Sequence, residues 1–307
     1  MFLAQPFAEA RGSRPRSRAG VQTSTLAFLL VLVVGPQIPI GPSPTRVEFA
    51  CPMDRDVRSK NPGRCSKCGM KLIPGVKEQL EYPLRLLATP PQIPAGKLVR
   101  LEFEVRDPST GNPVDQFEVI HERLFHLFIV SRELDYFEHV HPEYRGTRFV
   151  LDIVFPKPTI YRLLADFYPS GGVPQLTALT LTTAGYTAPL SVAVLQPDLQ
   201  PKKGENLDVE LTIEPHQPIA GKKTMLFFSL RPTEQLEPFL GAWGHLLVAS
   251  DDLIDMIHAH PFLADGSGQV QFNVFFPRQS TYRIWVQFQR SGKVNTVHFT
   301  IPVLQLK

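Results

Sequence analysis

In "RLEFEVR", residues 100–106, apolar and charged side chains alternate without a break. A period of two places one face of a β-strand in a core and the other in water. Short apolar runs rich in β-branched and aromatic residues fill the chain after Pro74: "PLRLLAT", "LFHLFIVS", "RFVLDIVFP", "IYRLLADFYPSG", "QLTALTLTT". Pro, Gly and Asp separate them, as turns require. No long stretch keeps a helical period. The pattern predicts an all-β protein built from Ig-like β-sandwiches.

The pattern also repeats. "PPQIPAGKLVRLEFEVR" (90–106) matches "PHQPIAGKKTMLFFSLR" (215–231), offset by 125. "HLFIVSRELDYFEHVHP" (126–142) matches "HLLVASDDLIDMIHAHP" (245–261), offset by 119. "VFPKPTIYRLLADFYPSGG" (154–172) matches "FFPRQSTYRIWVQFQRSGK" (275–293), offset by 121. Small changes of offset are changes of loop length between shared strands. The expected organisation is a tandem pair, residues 80–200 and 201–307, joined through the Pro-rich "LQPDLQPKKGEN" (195–206).

Three histidines keep their spacing through the duplication. His126, His139 and His141 in the first copy answer His245, His258 and His260 in the second, with gaps of 13 and 2 in both. Residues two apart on a strand share a face, and neutral imidazole is a good ligand for copper, zinc and nickel. The same residues equally fit a fold-bracing role, with each ring bonded to a backbone carbonyl at a strand corner. The first copy adds His121, where the second has Leu240, which makes it the better candidate if only one copy binds metal. Asp135, Glu138 and Glu143 are the neighbouring acceptors for the second ring nitrogens. His216 and His298 fall outside the pattern and read as surface or edge residues.

All three cysteines lie in "CPMDRDVRSKNPGRCSKCGM", residues 51–70. Cys65 and Cys68 form C-x-x-C-G, a turn that aims two thiolates at one point. Cys51 stands 14 residues upstream, and "NPG" can turn the chain back towards it. Soft sulfur selects Cu(I) or Zn(II), and Met53 and Met70 offer thioethers that copper accepts. A Cys65–Cys68 disulfide is the alternative in an oxidising compartment. The surroundings lack the βαβ pattern of a thioredoxin-type motif.

The stretch "FACPMDRDVRSKNPGRCSKCGMKLIP" (49–74) resembles the small heavy-metal-binding domain of copper-efflux adaptor proteins and some copper-transporting P-type ATPases. The resemblance implies that Cys51, Cys65 and Cys68 are metal ligands. That family usually has His-Pro after C-P-M. Here Asp54-Arg55 stands instead, which removes one expected ligand; Asp54 could replace it for zinc but suits Cu(I) poorly, which leaves either a three-sulfur site, open to completion by methionine, or a weakened one. The segment 47–76 is therefore expected to be a compact metal-binding knob. The sandwich region also resembles bacterial exported proteins in which this motif precedes "HLFIVS…DL…HVHPE".

Composition and charge narrow the rest. At 43% hydrophobic and 20% charged, the chain is globular, and 30 prolines suit many turns and strand edges. The net charge of +3 comes from residues 1–46, where Arg11, Arg14, Arg16, Arg18 and Arg46 oppose only Glu9; the remainder carries −1. No nucleic-acid surface follows from that balance. The arginines precede nine apolar residues, Leu26–Val34, too few to span a bilayer comfortably. This is an export pattern. No small-x-small cleavage site stands out, so a removed signal peptide and a retained anchor both fit, and contact with a membrane is expected only through this segment.

Phosphate loops, nucleophile elbows and paired catalytic carboxylates are missing from the sequence. The chain is expected not to be an enzyme, and a copper oxidase on His126, His139 and His141 would need an open coordination position and a cleft. The expected function is sequestration or hand-over of copper or zinc in the periplasm or cell envelope, with the ion, and a metal efflux system, as partners. The alternative is a structural or cell-surface β-sandwich module whose cysteine motif is a zinc or disulfide staple. A full efflux adaptor would need a long helical hairpin, which residues 80–307 do not encode.

Overall fold

A computed structural model describes residues 48–51, 57–75, 80–189 and 191–306. The segment that carries the apolar run, together with Met53 and Asp54, lies outside the described residues. No helix occurs among the described residues, and none is long and apolar enough to cross a membrane. The chain divides into two compact units, at Pro74 and Gly75.

The first unit holds a three-stranded sheet in the order β2-β1-β3, from β1 (Glu48–Ala50), β2 (Arg58–Ser59) and β3 (Ile73–Gly75). Among the described residues its core is Cys51, Cys65 and Leu72, with Phe49, Val57 and Cys68 packed against them. A core of this kind usually draws on a metal or a cross-link as well.

The second unit contains both repeats. The first copy runs through β4 (Leu84–Thr89), β5 (Leu98–Val105), β6 (Phe125–Ser131), β7 (Phe137–Val140), β8 (Glu143–Tyr144), β9 (Phe149–Val154), β10 (Ile160–Phe167) and β11 (Gln175–Thr182). Its sheets are β4-β5-β9-β8 and β11-β10-β6-β7. The second copy has β12 (Lys202–Lys203), β13 (Asp208–Glu214), β14 (Lys223–Arg231), β15 (Leu236–Glu237), β16 (His245–Ser250), β17 (Met256–Ala259), β18 (Leu263–Ala264), β19 (Gln269–Phe275), β20 (Ser280–Arg290) and β21 (Lys293–Val303). Its sheets are β12-β13-β14-β19-β18 and β15-β20-β16-β17, with β21 also paired to β20.

The alternation in "RLEFEVR" is realised on β5. Val99, Leu101, Phe103 and Val105 enter the first core, while Arg100 pairs across the strands with Asp152 at 2.8 Å. Glu104 is buried against Arg106 and Arg148, which supply the charge that its burial needs.

Strands β6 and β16 behave differently: every residue of each is buried. A strand covered on both faces needs two cores. Phe125, Leu127 and Ile129 point into the first sandwich. Phe128 and Val130 point the other way, into a separate cluster with Leu164, Leu247, Ala249 and Trp285. The two sandwiches thus pack through the outer faces of the sheets that contain β6 and β16. The unit has four layers of sheet and three apolar seams. The segment between the copies is pinned to the second, where the Ala193 amide donates to the Asp251 carbonyl at 2.8 Å.

Candidate metal centres

The cysteine knob is built by its backbone. The Cys51 amide donates to the Val57 carbonyl at 3.0 Å, which places Cys51 at the end of β1. The Cys65 amide donates to Met70 O at 2.8 Å and the Gly69 amide to Cys65 O at 2.9 Å, closing the turn. Gly69 takes φ +73°, the left-handed region that favours glycine. The Lys67 amide reaches Cys65 Sγ at 3.4 Å.

The three sulfurs converge, all within 4.8 Å of one another, and Cys51 and Cys68 Sγ are 3.4 Å apart. A disulfide would need about 2.05 Å, and none joins these cysteines. Sulfurs sharing a metal at about 2.3 Å bonds lie about 3.8–4.0 Å apart, so the arrangement fits a bound ion after a small adjustment. Residues 49–74 also carry six basic side chains against two acidic ones. Met70 contributes its carbonyl to the turn, while its side chain is 43% exposed.

The histidines come together in the second unit. On β6 and β7, Leu127 pairs with Val140 and Phe128 with His139. The next position sets His126 opposite His141, so all three rings share the face turned to the other sandwich. His126 Nδ1 lies 3.1 Å from His139 Nε2 and 3.2 Å from His141 Nε2. The second copy repeats the register, with Leu246 opposite Ala259 and Leu247 opposite His258. In each triad one nitrogen per ring lies within 4.8 Å of the others.

The partners of the remaining nitrogens fix the tautomers. His126 Nε2 donates to Ile120 O, and His245 Nε2 to Phe239 O, each at 2.9 Å. Both carbonyls lie in tight turns whose central residues have positive φ: His121 and Glu122 in one, Leu240 and Gly241 in the other. His258 Nδ1 donates to Asp166 Oδ2 at 2.8 Å. His139 Nδ1 donates to Gln287 Oε1 at 2.7 Å, and the Gln287 amide nitrogen donates to Thr296 Oγ1 at 2.9 Å. His126 Nδ1, His139 Nε2, His245 Nδ1 and His258 Nε2 are left with lone pairs that face the triads.

Asp166 and Gln287 stand at equivalent positions, opposite His126 on β10 and opposite His245 on β20. Each serves the other sandwich. The acceptors expected from sequence do not serve: Asp135 is bound to Lys157 and Ser131, Glu143 to Arg145, and Glu138 faces Tyr136. They neighbour the histidines along the chain but are engaged elsewhere. His121 also departs from expectation. Its left-handed turn carries the ring onto His260 of the second copy, stacked with centroids 3.7 Å apart, so it does not extend the first triad.

Burial holds these rings neutral. His126 is pushed down to about 4, His141 and His245 to about 3 and His260 to about 2, with desolvation the largest cause in each. His139 and His121 are shifted the same way. His216 and His298 are exposed and belong to neither triad.

A family model described as a domain of unknown function (DUF8832) matches twice, over residues 81–185 and 202–305. A second, described as a heavy metal binding domain, matches residues 49–74. No curated protein matches the chain. Among solved structures, a two-domain fibronectin type-III segment of chicken tenascin aligns over 72% of this chain and 99% of that one, at 12% identity and a TM-score of 0.23. The fibronectin(III)-like modules of Clostridium thermocellum CbhA align over 72% and 95%, at 12% identity and 0.21. The Escherichia coli adhesin FdeC aligns over 76% and 67%, at 13% identity and 0.25. With TM-scores this low, the sandwich assignment rests on the strands and registers described above.

Proposed function

We propose that this chain, which belongs to the family described as a domain of unknown function (DUF8832), is an exported protein that binds a soft metal ion at its cysteine knob and holds it or hands it on. The observation that carries the reading is the convergence of Cys51, Cys65 and Cys68 within the segment matched by the heavy metal binding domain. Among the described residues three thiolates converge and no further histidine, cysteine or carboxylate joins them; a three-sulfur site suits Cu(I), whereas structural zinc takes four ligands. The ion is cargo, and the knob's six basic side chains offset the charge of a thiolate complex.

Export rests on the arginine-rich start and the apolar run that follows it. In an envelope compartment, a thiolate site would compete for Cu(I) and pass it by ligand exchange to an efflux system. The test is a Cu(I) competition titration of the full chain and its Cys51→Ser/Cys65→Ser/Cys68→Ser variant under reducing conditions, with fractionation of cells that make the parent. The expected result is one tightly held Cu(I) lost in the variant, and protein in the envelope fraction. Equal Cu(I) affinity in both proteins would contradict the thiolate site, and a cytoplasmic parent would contradict export.

A further inference from the structure

The two histidine triads meet. His126 of the first copy lies 6.2 Å from His245 of the second between ring centroids, and His139 lies 5.4 Å from His245. They stand beside the apolar seam of Phe128, Leu164, Leu247 and Trp285 that joins the sandwiches. Each is finished from across that seam, His139 by Gln287 and His258 by Asp166.

A bracing role accounts for the outer nitrogens and leaves most of the inner ones without a partner. His126 Nδ1 lies 3.1 Å from His139 Nε2 and 3.2 Å from His141 Nε2, where a single hydrogen can serve one of these contacts and a cation would serve all three nitrogens. In the second copy His245 Nδ1, His258 Nε2 and His260 Nε2 are buried with no hydrogen-bond partner among the described residues. An orphaned buried acceptor costs about 1–3 kcal/mol, and three together are a strong sign of a missing ligand. Nitrogens sharing a metal at about 2.0–2.1 Å lie about 3.3 Å apart, close to the spacings in the first triad.

We propose that the two triads are halves of one paired metal centre, which takes two imidazole-preferring late first-row ions, copper ahead of zinc, and couples them to the docking of the sandwiches. Two ions are required because each triad's three inner nitrogens converge among themselves. Copper leads by the general order of divalent affinities. The half-buried rings of His141 and His260 leave an entry side, while His126 and His245 are fully buried. The outer hydrogen bonds to Asp166, Gln287, Ile120 and Phe239 orient the rings as such partners do at metal sites. The centre is independent of the cysteine knob, so the failure of either reading leaves the other standing.

The test uses the full chain with Cys51, Cys65 and Cys68 changed to Ser, loaded with Cu(II) or Zn(II) and desalted. About two ions per chain are expected, falling to about one in His139→Ala/His141→Ala and to about one in His258→Ala/His260→Ala. Both double variants keep the two fully buried rings. X-ray absorption of the zinc-loaded cysteine-free chain needs no histidine variant, and about three imidazole nitrogens per ion at about 2.0 Å are expected. Fewer than one ion bound, a single ion lost in both double variants, an occupancy that neither variant lowers, or a first shell without imidazole would each overturn the paired centre.

Discussion

Asp166 and Gln287 hold the same strand position in the two copies and differ by a charge. Each orients a histidine of the opposite sandwich, His258 and His139 respectively. Outer partners of this kind typically set 10–100-fold in metal affinity. Asp166→Asn in the cysteine-free chain is therefore expected to weaken one of two bound ions by about that factor and to spare the other. Competition titration reads this, and two equally unaffected ions would contradict it. Gly69 shapes the turn between Cys65 and Met70. No atom lies within 4 Å of where its Cβ would stand, so only its φ of +73° resists substitution. Gly69→Ala should cost about 1–2 kcal/mol, which matters in a unit with so small a core, and should weaken Cu(I) retention measurably without abolishing it; unchanged retention would show that the turn's handedness is dispensable. The triads themselves were legible in sequence, because a gap of two on a strand forces a shared face and the duplication kept the gaps. Asp166 and Gln287 were not, because they lie 92 and 148 residues from their histidines. Asp135, Glu138 and Glu143 were nearer in sequence and wrong in space.

Strands β6 and β16 are the elements through which the two sandwiches meet. Within β6 and β16, "LFIV" and "LLVA" lack the alternation of "RLEFEVR", and a continuous apolar run is the mark of a strand covered on both faces. That signal was present, and it announces a second packing surface without saying what covers it. Repetition in the sequence told of two similar sandwiches. It could not tell that they stack, because internal likeness fixes each fold and not their docking. Trp285 is 4% exposed and stacks on Phe137 across the seam, with centroids 5.2 Å apart. Trp285→Ala should cost about 3–5 kcal/mol, seen as a lower unfolding midpoint, and should reduce metal held by the histidines while leaving the cysteine knob loaded. A variant that unfolds at the parent's temperature would contradict the role of the seam.

At the scale of the molecule, the buried histidines make stability depend on pH. Their folded-state values lie below the ordinary 6.5, with His126 at about 4 and His141 and His245 at about 3, although Asp166 pulls His126 the other way. The unfolded chain therefore binds more protons than the folded one between about pH 6.5 and 4, and stability must fall as the pH drops through that window. Metal-free protein should show a falling unfolding midpoint from pH 7 to 4.5, and bound metal should blunt the fall near neutrality. A flat profile would mean that the rings are not buried neutral. The proposal of export rests on the arginines and apolar run of residues 1–46, and localisation of the intact protein tests it.

Whether three thiolates hold a soft ion is read by copper K-edge absorption of the full chain carrying one equivalent of Cu(I). The expected first shell is about three sulfurs at about 2.3 Å. A shell of nitrogen alone would contradict it and place the ion in the histidine centre.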